Sequence, residues 1–165
     1  MKVISLVRLL RPHYWSKNLL LFLPLLLCDG ALVPVDFWRE GAFGFLLFSL
    51  AASSGYIFND ILDRAHDRLS ARRSARGLAL ESVSVSDAVK LLCALLALQL
   101  LLWSVAPFSL NFLIWIYLFS SGLYSLFFKS IRWFDILHLA FFHLLRVVFG
   151  LLLFKLPHSP WLISF

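Results

Sequence analysis

With 165 residues, 61% of them hydrophobic, and a mean hydropathy of +0.88, the chain is too apolar for an ordinary soluble domain and reads as an integral membrane protein. Its formal charge of +6, from 15 Lys and Arg against 9 Asp and Glu, would suit a nucleic-acid binder if the chain were soluble. The basic residues instead gather in alternate loops between apolar runs, the pattern of membrane topology, which argues against nucleic acid as a partner.

Residues 1–16 are semi-polar, and Leu6, Leu9 and Leu10 beside Arg8 and Arg11 predict a short interfacial helix anchored by Tyr14 and Trp15. Five apolar segments follow, at roughly 17–35, 41–62, 88–107, 111–128 and 135–156, each near the length of about 20 residues that a spanning helix needs. The expected fold class is therefore all-α, a polytopic transmembrane helix bundle of about five spans forming a single membrane domain over 1–165. The first span contains Pro24 and Asp29. Cys28 and Cys93 fall in spans without metal-ligand spacing and are expected to be buried packing thiols.

Lys2, Arg8, Arg11 and Lys17 precede the first span; Arg64, Arg68, Arg72, Arg73, Arg76 and Lys90 lie between the second and third; Lys129 and Arg132 lie between the fourth and fifth. The intervening loops carry only Arg39 and Lys155. By the positive-inside rule the N-terminus and the long polar segment 63–87 are cytoplasmic. That segment is long enough to cover the end of a bundle as a lid.

The second span ends in Asn59-Asp60-Ile61-Leu62-Asp63-Arg64-Ala65-His66-Asp67. Continued as a helix, Asn59, Asp63 and Asp67 fall within an arc of roughly 80°, with Asp60 slightly outside it. Crowded carboxylates raise each other's pKa unless a cation neutralises them, and a hard ion such as Mg²⁺ prefers oxygen ligands and recruits phosphates. A metal-phosphate site at a membrane surface is one reading. The other is a solvated helix end, with Arg64 pairing Asp60 and Asp67 but leaving Asp63 without a local basic partner.

Ala51-Ala52-Ser53-Ser54-Gly55 in the second span and Ser120-Ser121-Gly122 in the fourth are small residues that allow close helix approach. Tyr124 stands at the end of the fourth span, with Lys129 five residues on, where an ammonium could bind a phosphate oxygen or simply mark the cytoplasmic end. In the fifth span, taking Asp135 as zero on a helical wheel, His138, His143 and Arg146 lie at about −60°, +80° and +20°. The polar groups share one side, and a charge as deep as Arg146 points to a cavity holding an anion or to an internal pair.

Arg11-Pro12-His13-Tyr14-Trp15-Ser16-Lys17-Asn18, the Asn59-Asp60-x-x-Asp63-x-x-x-Asp67 motif, Tyr124-Ser125-Leu126-Phe127-Phe128-Lys129 and Leu145-Arg146-Val147-Val148-Phe149-Gly150 together resemble the UbiA superfamily of intramembrane prenyltransferases. The opening motif is most similar to the decaprenyl-phosphate phosphoribosyltransferase-like branch. The resemblance implies an all-helical bundle, normally of about nine spans, in which Mg²⁺ held by two aspartate-rich motifs grips a diphosphate. It implies Asn59, Asp60, Asp63 and Asp67 as metal ligands, Asp63, Asp67, Tyr124 and Lys129 as catalytic groups, and Asn59, Arg73, Arg76 and Arg146 as substrate contacts. The implied activity uses a polyisoprenoid lipid substrate and a diphosphate-bearing donor in a bacterial inner membrane. The transfer is of a prenyl group, or of a phosphoribosyl group to a polyprenyl phosphate.

Arg76 is followed by Gly77 where the family often has proline, and Glu81 stands where a glycine is common. The match ends at Phe165, where a sixth span would be starting and before any second aspartate motif. The expectation is therefore an N-terminal half, with the C-terminal half supplied separately if the chain is active. A non-enzymatic transporter or flippase component and an inactive truncated fragment are the alternatives.

Overall fold

The computed structural model describes residues 2–27, 36–67, 83–129 and 131–156, and for residues 2, 3, 65–67 and 132 it describes the backbone only. All regular structure among them is helical: α1 (Lys2–Leu9), a 3-10 helix (Pro12–Phe22), α2 (Leu23–Leu27), α3 (Phe37–Asp67), α4 (Val85–Trp103), α5 (Phe108–Leu123) extended by a π-helical turn (Tyr124–Phe128), and α6 (Arg132–Leu153). Four stretches are long and apolar enough to cross a membrane, Phe37–Arg64, Val85–Trp103, Phe108–Phe128 and Trp133–Leu153. They correspond to the expected second to fifth spans.

The first expected span takes another form. Its described part, up to Leu27, runs as a 3-10 helix and one short α-helix, and residues 28–35 lie outside the described residues. A 3-10 helix places residues three apart in line. Trp15, Asn18 and Leu21 are so spaced and meet α3 and α6 together. Trp15 Nε1 donates to Ser53 Oγ at 3.0 Å, Asn18 Nδ2 donates to Ser49 Oγ at 2.9 Å, and Leu21 is fully buried. Ser49 and Ser53 are one α-turn apart, so two rows of different period share a register. At about 2.0 Å rise per residue, against 1.5 Å in an α-helix, Pro12–Leu27 advances about 30 Å, the thickness of a bilayer's hydrocarbon core. Trp15, expected as an interface anchor, is instead tied into the bundle.

Helix α3 is the central element. Its most apolar window is 67% buried, against 17% for α4, and it packs on α4, α5, α6 and the 3-10 helix. The main core gathers Phe48, Tyr117 and Phe149, with edge-on ring contacts at 4.9 and 5.4 Å. Gly55 allows α3 to approach α5 closely, since a Cβ there would stand 2.6 Å from Ser121 Oγ. Helix α4 begins with Ser84 Oγ accepting from Asp87 N at 3.1 Å, and faces largely outward. Cys93 lies on that outward side and is exposed, contrary to the expected packing thiol, because apolar composition cannot distinguish a lipid-facing side from a core-facing one. Cys28 lies outside the described residues.

Gln99, buried on α4, donates to the Leu47 carbonyl of α3 at 2.8 Å. Gln99→Leu is expected to lower stability by about 1 kcal/mol, the scale of an interhelical hydrogen bond in lipid. The measurement is thermal unfolding of the detergent-solubilised protein beside wild type, and an unchanged midpoint would count against this contact. Helix α3 continues to Asp67 and α4 starts at Val85, so most of the expected 63–87 loop, including Arg73 and Arg76, lies outside the described residues.

Candidate functional site

A cavity of about 400 Å³ opens between the 3-10 helix, α3, α5 and α6. Its walls carry Asn59 from α3, Tyr124 from the π-turn, and Asp135, His138, His143 and Arg146 from α6. The polar stripe expected on the fifth span therefore faces one cavity. Periodicity placed these residues on one face, and α6 turns that face inward because a charge such as Arg146 cannot remain toward hydrocarbon at low cost.

Arg146 is 3% exposed. Its Nε donates to Asn18 Oδ1 at 2.9 Å and one Nη to the Phe142 carbonyl at 2.7 Å, and its guanidinium lies 5.1 Å from the ring centre of Phe48 and 5.6 Å from that of Tyr117. None of these four partners is a carboxylate. The site thus holds a buried positive charge compensated by dipoles and ring faces, a favourable setting for an anion entering the cavity.

The aspartate motif divides into two arrangements. Asn59 Nδ2 donates to Asp63 Oδ2 at 3.1 Å, as their i, i+4 spacing predicts, and Asp63 forms an ion pair with Lys129. Lys129 closes the π-turn, its N–H donating to the Tyr124 carbonyl at 3.1 Å. That wider turn ends α5 with the ammonium toward α3. Asp60 turns to another side and pairs with Arg11. The partner that local sequence could not supply to Asp63 comes from 66 residues away. The Asp67 side chain, Arg73 and Arg76 lie outside the described residues.

At the start of the same π-turn, Tyr124 Oη donates to Asp135 Oδ1 at 2.6 Å, and its ring stacks on His138 at 4.4 Å. His138 Nε2 is buried without a hydrogen-bond partner among the described residues. His143 Nδ1 lies 2.6 Å from the Leu139 carbonyl. Arg11 and Lys17, cytoplasmic charges by topology and members of the opening motif, also line the cavity, a role the sequence does not reveal. The bond between Tyr124 and Asp135, 11 residues apart, joins two elements and leaves no sign in local spacing.

The model of the UbiA prenyltransferase family matches residues 19–165. The chain belongs to that family. As a UbiA protein with four stretches able to span, it is a multi-pass membrane protein. It is similar to an uncharacterized protein, y4nM, of Sinorhizobium fredii, with 34% identity over 158 residues, 94% of this chain and 30% of that protein. It is similar to the nodulation protein NoeC of Azorhizobium caulinodans, with 39% identity over 90 residues, 53% of this chain and 28% of that one. It is also similar to the decaprenyl-phosphate phosphoribosyltransferase of Mycobacterium tuberculosis, with 30% identity over 166 residues, 96% of this chain and 54% of that enzyme. The matches span 28% to 54% of the length of these relatives.

UbiA enzymes typically depend on Mg²⁺, and the donor set can be tested against that ion. Among the described residues no group of three or more His, Cys, Asp or Glu is arranged to hold a metal. Asn59 and Asp63 nevertheless fit part of a hard-ion shell. Ligands about 2.1 Å from an octahedral Mg²⁺ stand about 3 Å apart, and the two side chains meet at 3.1 Å, with the Asn59 amide free to present either end by rotation. Mg²⁺ usually keeps only one or two carboxylates and completes its shell with phosphate oxygens and water.

Proposed function

We propose that the chain carries the first-motif half of a UbiA-type transferase that releases diphosphate from its donor with the help of Mg²⁺ and hands the donor carbon to a polyisoprenoid acceptor. The observation that carries this reading is the membrane-embedded cavity that joins a buried, dipole-held Arg146 to Asn59 and, through it, to Asp63 and Lys129. Asn59, Asp63 and Asp67 would hold the ion, with Asp60 supporting them. Lys129, Arg146 and, from the loop, Arg73 and Arg76 neutralise phosphate oxygens. Tyr124 fixes the substrate by its hydroxyl. When bound, Mg²⁺ supplies charge neutralisation to the departing diphosphate.

The bond between the donor carbon and the diphosphate oxygen breaks with its electron pair going to diphosphate, and an acceptor oxygen or carbon supplies the new pair. The side chains act by placing positive charge where negative charge grows, so no covalent enzyme nucleophile is required. Similarity to the mycobacterial phosphoribosyltransferase over 96% of this chain favours phosphoribosyl diphosphate as donor and a polyprenyl phosphate as acceptor over prenyl transfer to an aromatic ring. The N-terminus, Lys129 and the donor site face the cytoplasm of a bacterial inner membrane on this reading.

The test is diphosphate release by the membrane-embedded protein, supplied with phosphoribosyl diphosphate and a polyprenyl phosphate, and in parallel with a prenyl diphosphate. Release that requires Mg²⁺ and stops when EDTA removes it is the expected result. No release from either donor, in the chain or in the chain joined to the remaining length of its relatives, would favour the transporter or inactive-fragment alternatives.

A further inference from the structure

The π-turn carries a side-chain pair at each end: Tyr124 with Asp135 at its start, and Lys129 with Asp63 just past its last residue. The first pair differs in kind from the second. A phenol has one proton, and Tyr124 gives it to Asp135 Oδ1 at 2.6 Å, so the Tyr124 oxygen can then only accept. Ionised Asp135 only accepts as well, and its second carboxylate oxygen takes no hydrogen bond from another described residue. Both residues line the cavity.

A pair of acceptors repels phosphate oxygens, which themselves only accept, and suits a ligand group that donates. Hydroxyls are such groups, and a carboxylate is a frequent partner of ribose hydroxyls. The pair is also held in place. The Tyr124 ring stacks on His138 with centres 4.4 Å apart and planes within 10°, and His138 rests on Phe142 at 4.1 Å. The Lys129 N–H bond to the Tyr124 carbonyl closes the turn, which fixes the acceptor pair relative to the Lys129–Asp63 pair. Phosphoribosyl diphosphate has this pattern, with hydroxyls beginning on the carbon next to the one that holds diphosphate. A prenyl diphosphate offers only hydrocarbon there, against which the Asp135 carboxylate would lose water and gain no partner.

Resting on the proposed function, we propose that Asp135, oriented by Tyr124, is a specificity-determining residue of the donor site: its carboxylate accepts hydrogen bonds from hydroxyls of the transferred group and selects a sugar diphosphate over a prenyl diphosphate. The Tyr124 oxygen is the second acceptor.

The test is calorimetric binding to the membrane-embedded protein, with Mg²⁺ present, of phosphoribosyl diphosphate, dimethylallyl diphosphate and inorganic diphosphate. Wild-type protein is expected to hold phosphoribosyl diphosphate about 10-fold or more tightly than dimethylallyl diphosphate, the scale of one hydrogen bond to a charged group. Asp135→Asn should remove most of that preference, weakening phosphoribosyl diphosphate while inorganic diphosphate is unchanged and dimethylallyl diphosphate is unchanged or tighter. Tyr124→Phe keeps the stack on His138 and should reduce the preference by a smaller factor; it carries the test alone should Asp135→Asn not fold. A strut would weaken all three probes alike or none. Either result overturns the inference, as does wild-type protein without a preference for phosphoribosyl diphosphate, and each leaves the transferase reading standing. Wild-type protein that binds none of the three probes would instead overturn the function proposed above.

Discussion

Gly150→Ala is expected to lower stability by about 3 kcal/mol or more, the upper end of what overpacking costs, and to lower the thermal midpoint by about 10 °C. A Cβ at position 150 would stand 1.9 Å from the Leu21 carbonyl oxygen, 2.8 Å from its carbon and 3.1 Å from its Cα. All three are backbone atoms, so no rotamer change makes room, and α6 must part from the 3-10 helix. Asn18, one 3-10 turn before Leu21, would be drawn from Arg146, and the 2.9 Å bond that holds the guanidinium at the cavity would stretch. Two other glycines calibrate the effect. At Gly44 the added atom meets Leu153 Cδ2 at 2.5 Å, the end of a side chain that can rotate, so a smaller loss follows. At Gly122 nothing lies within 4 Å, and alanine there should be neutral or gain up to about 1 kcal/mol from helix propensity. Equal melting of Gly150→Ala and Gly122→Ala in detergent would mean that the 3-10 helix does not lie against α6.

The same contact shows where the sequence was legible. Spans over Phe37–Arg64, Val85–Trp103, Phe108–Phe128 and Trp133–Leu153 announce themselves by length and apolarity, and the polar face of α6 by helical periodicity, because these signals are local and strong. Asn59 and Asp63, four apart on one helix, were legible for the same reason. The 3-10 helix was not. Its buried residues Asn18 and Leu21, with Trp15 in line, repeat every three positions, and that register has meaning only against Ser49, Ser53 and Gly150. Arg11 with Asp60 and Lys129 with Asp63 join residues 49 and 66 apart, and in both cases the basic residue already had a sufficient explanation in topology. A charge that satisfies one rule gives no local sign that it also serves another.

Asp63 is where those two rules can be separated by experiment. As a strut, Asp63 would join α3 to the end of α5 through Lys129. Their side chains are 17% and 39% exposed, so solvent screens the pair and its removal should cost at most about 1 kcal/mol. As a metal ligand, Asp63 would stabilise charge that grows on diphosphate, where loss of one preorganised group costs about 10²–10³ in rate. Asp63→Asn keeps the shape and a hydrogen-bonding partner for Asn59 while removing the charge. The expected result is a small change in melting, a fall in diphosphate release of about 10²-fold or more, and a higher Mg²⁺ requirement. Lys129→Met should lose less rate without moving the Mg²⁺ requirement upward, since the carboxylate remains. If the two effects on rate multiply in the double variant, the residues act on different atoms of the departing group; if the double variant is no worse than Asp63→Asn, Lys129 works only by placing Asp63. Intact release with an unaltered Mg²⁺ requirement in Asp63→Asn, and likewise in Asp67→Asn, would leave the pair as a strut and remove the metal from this end of the cavity.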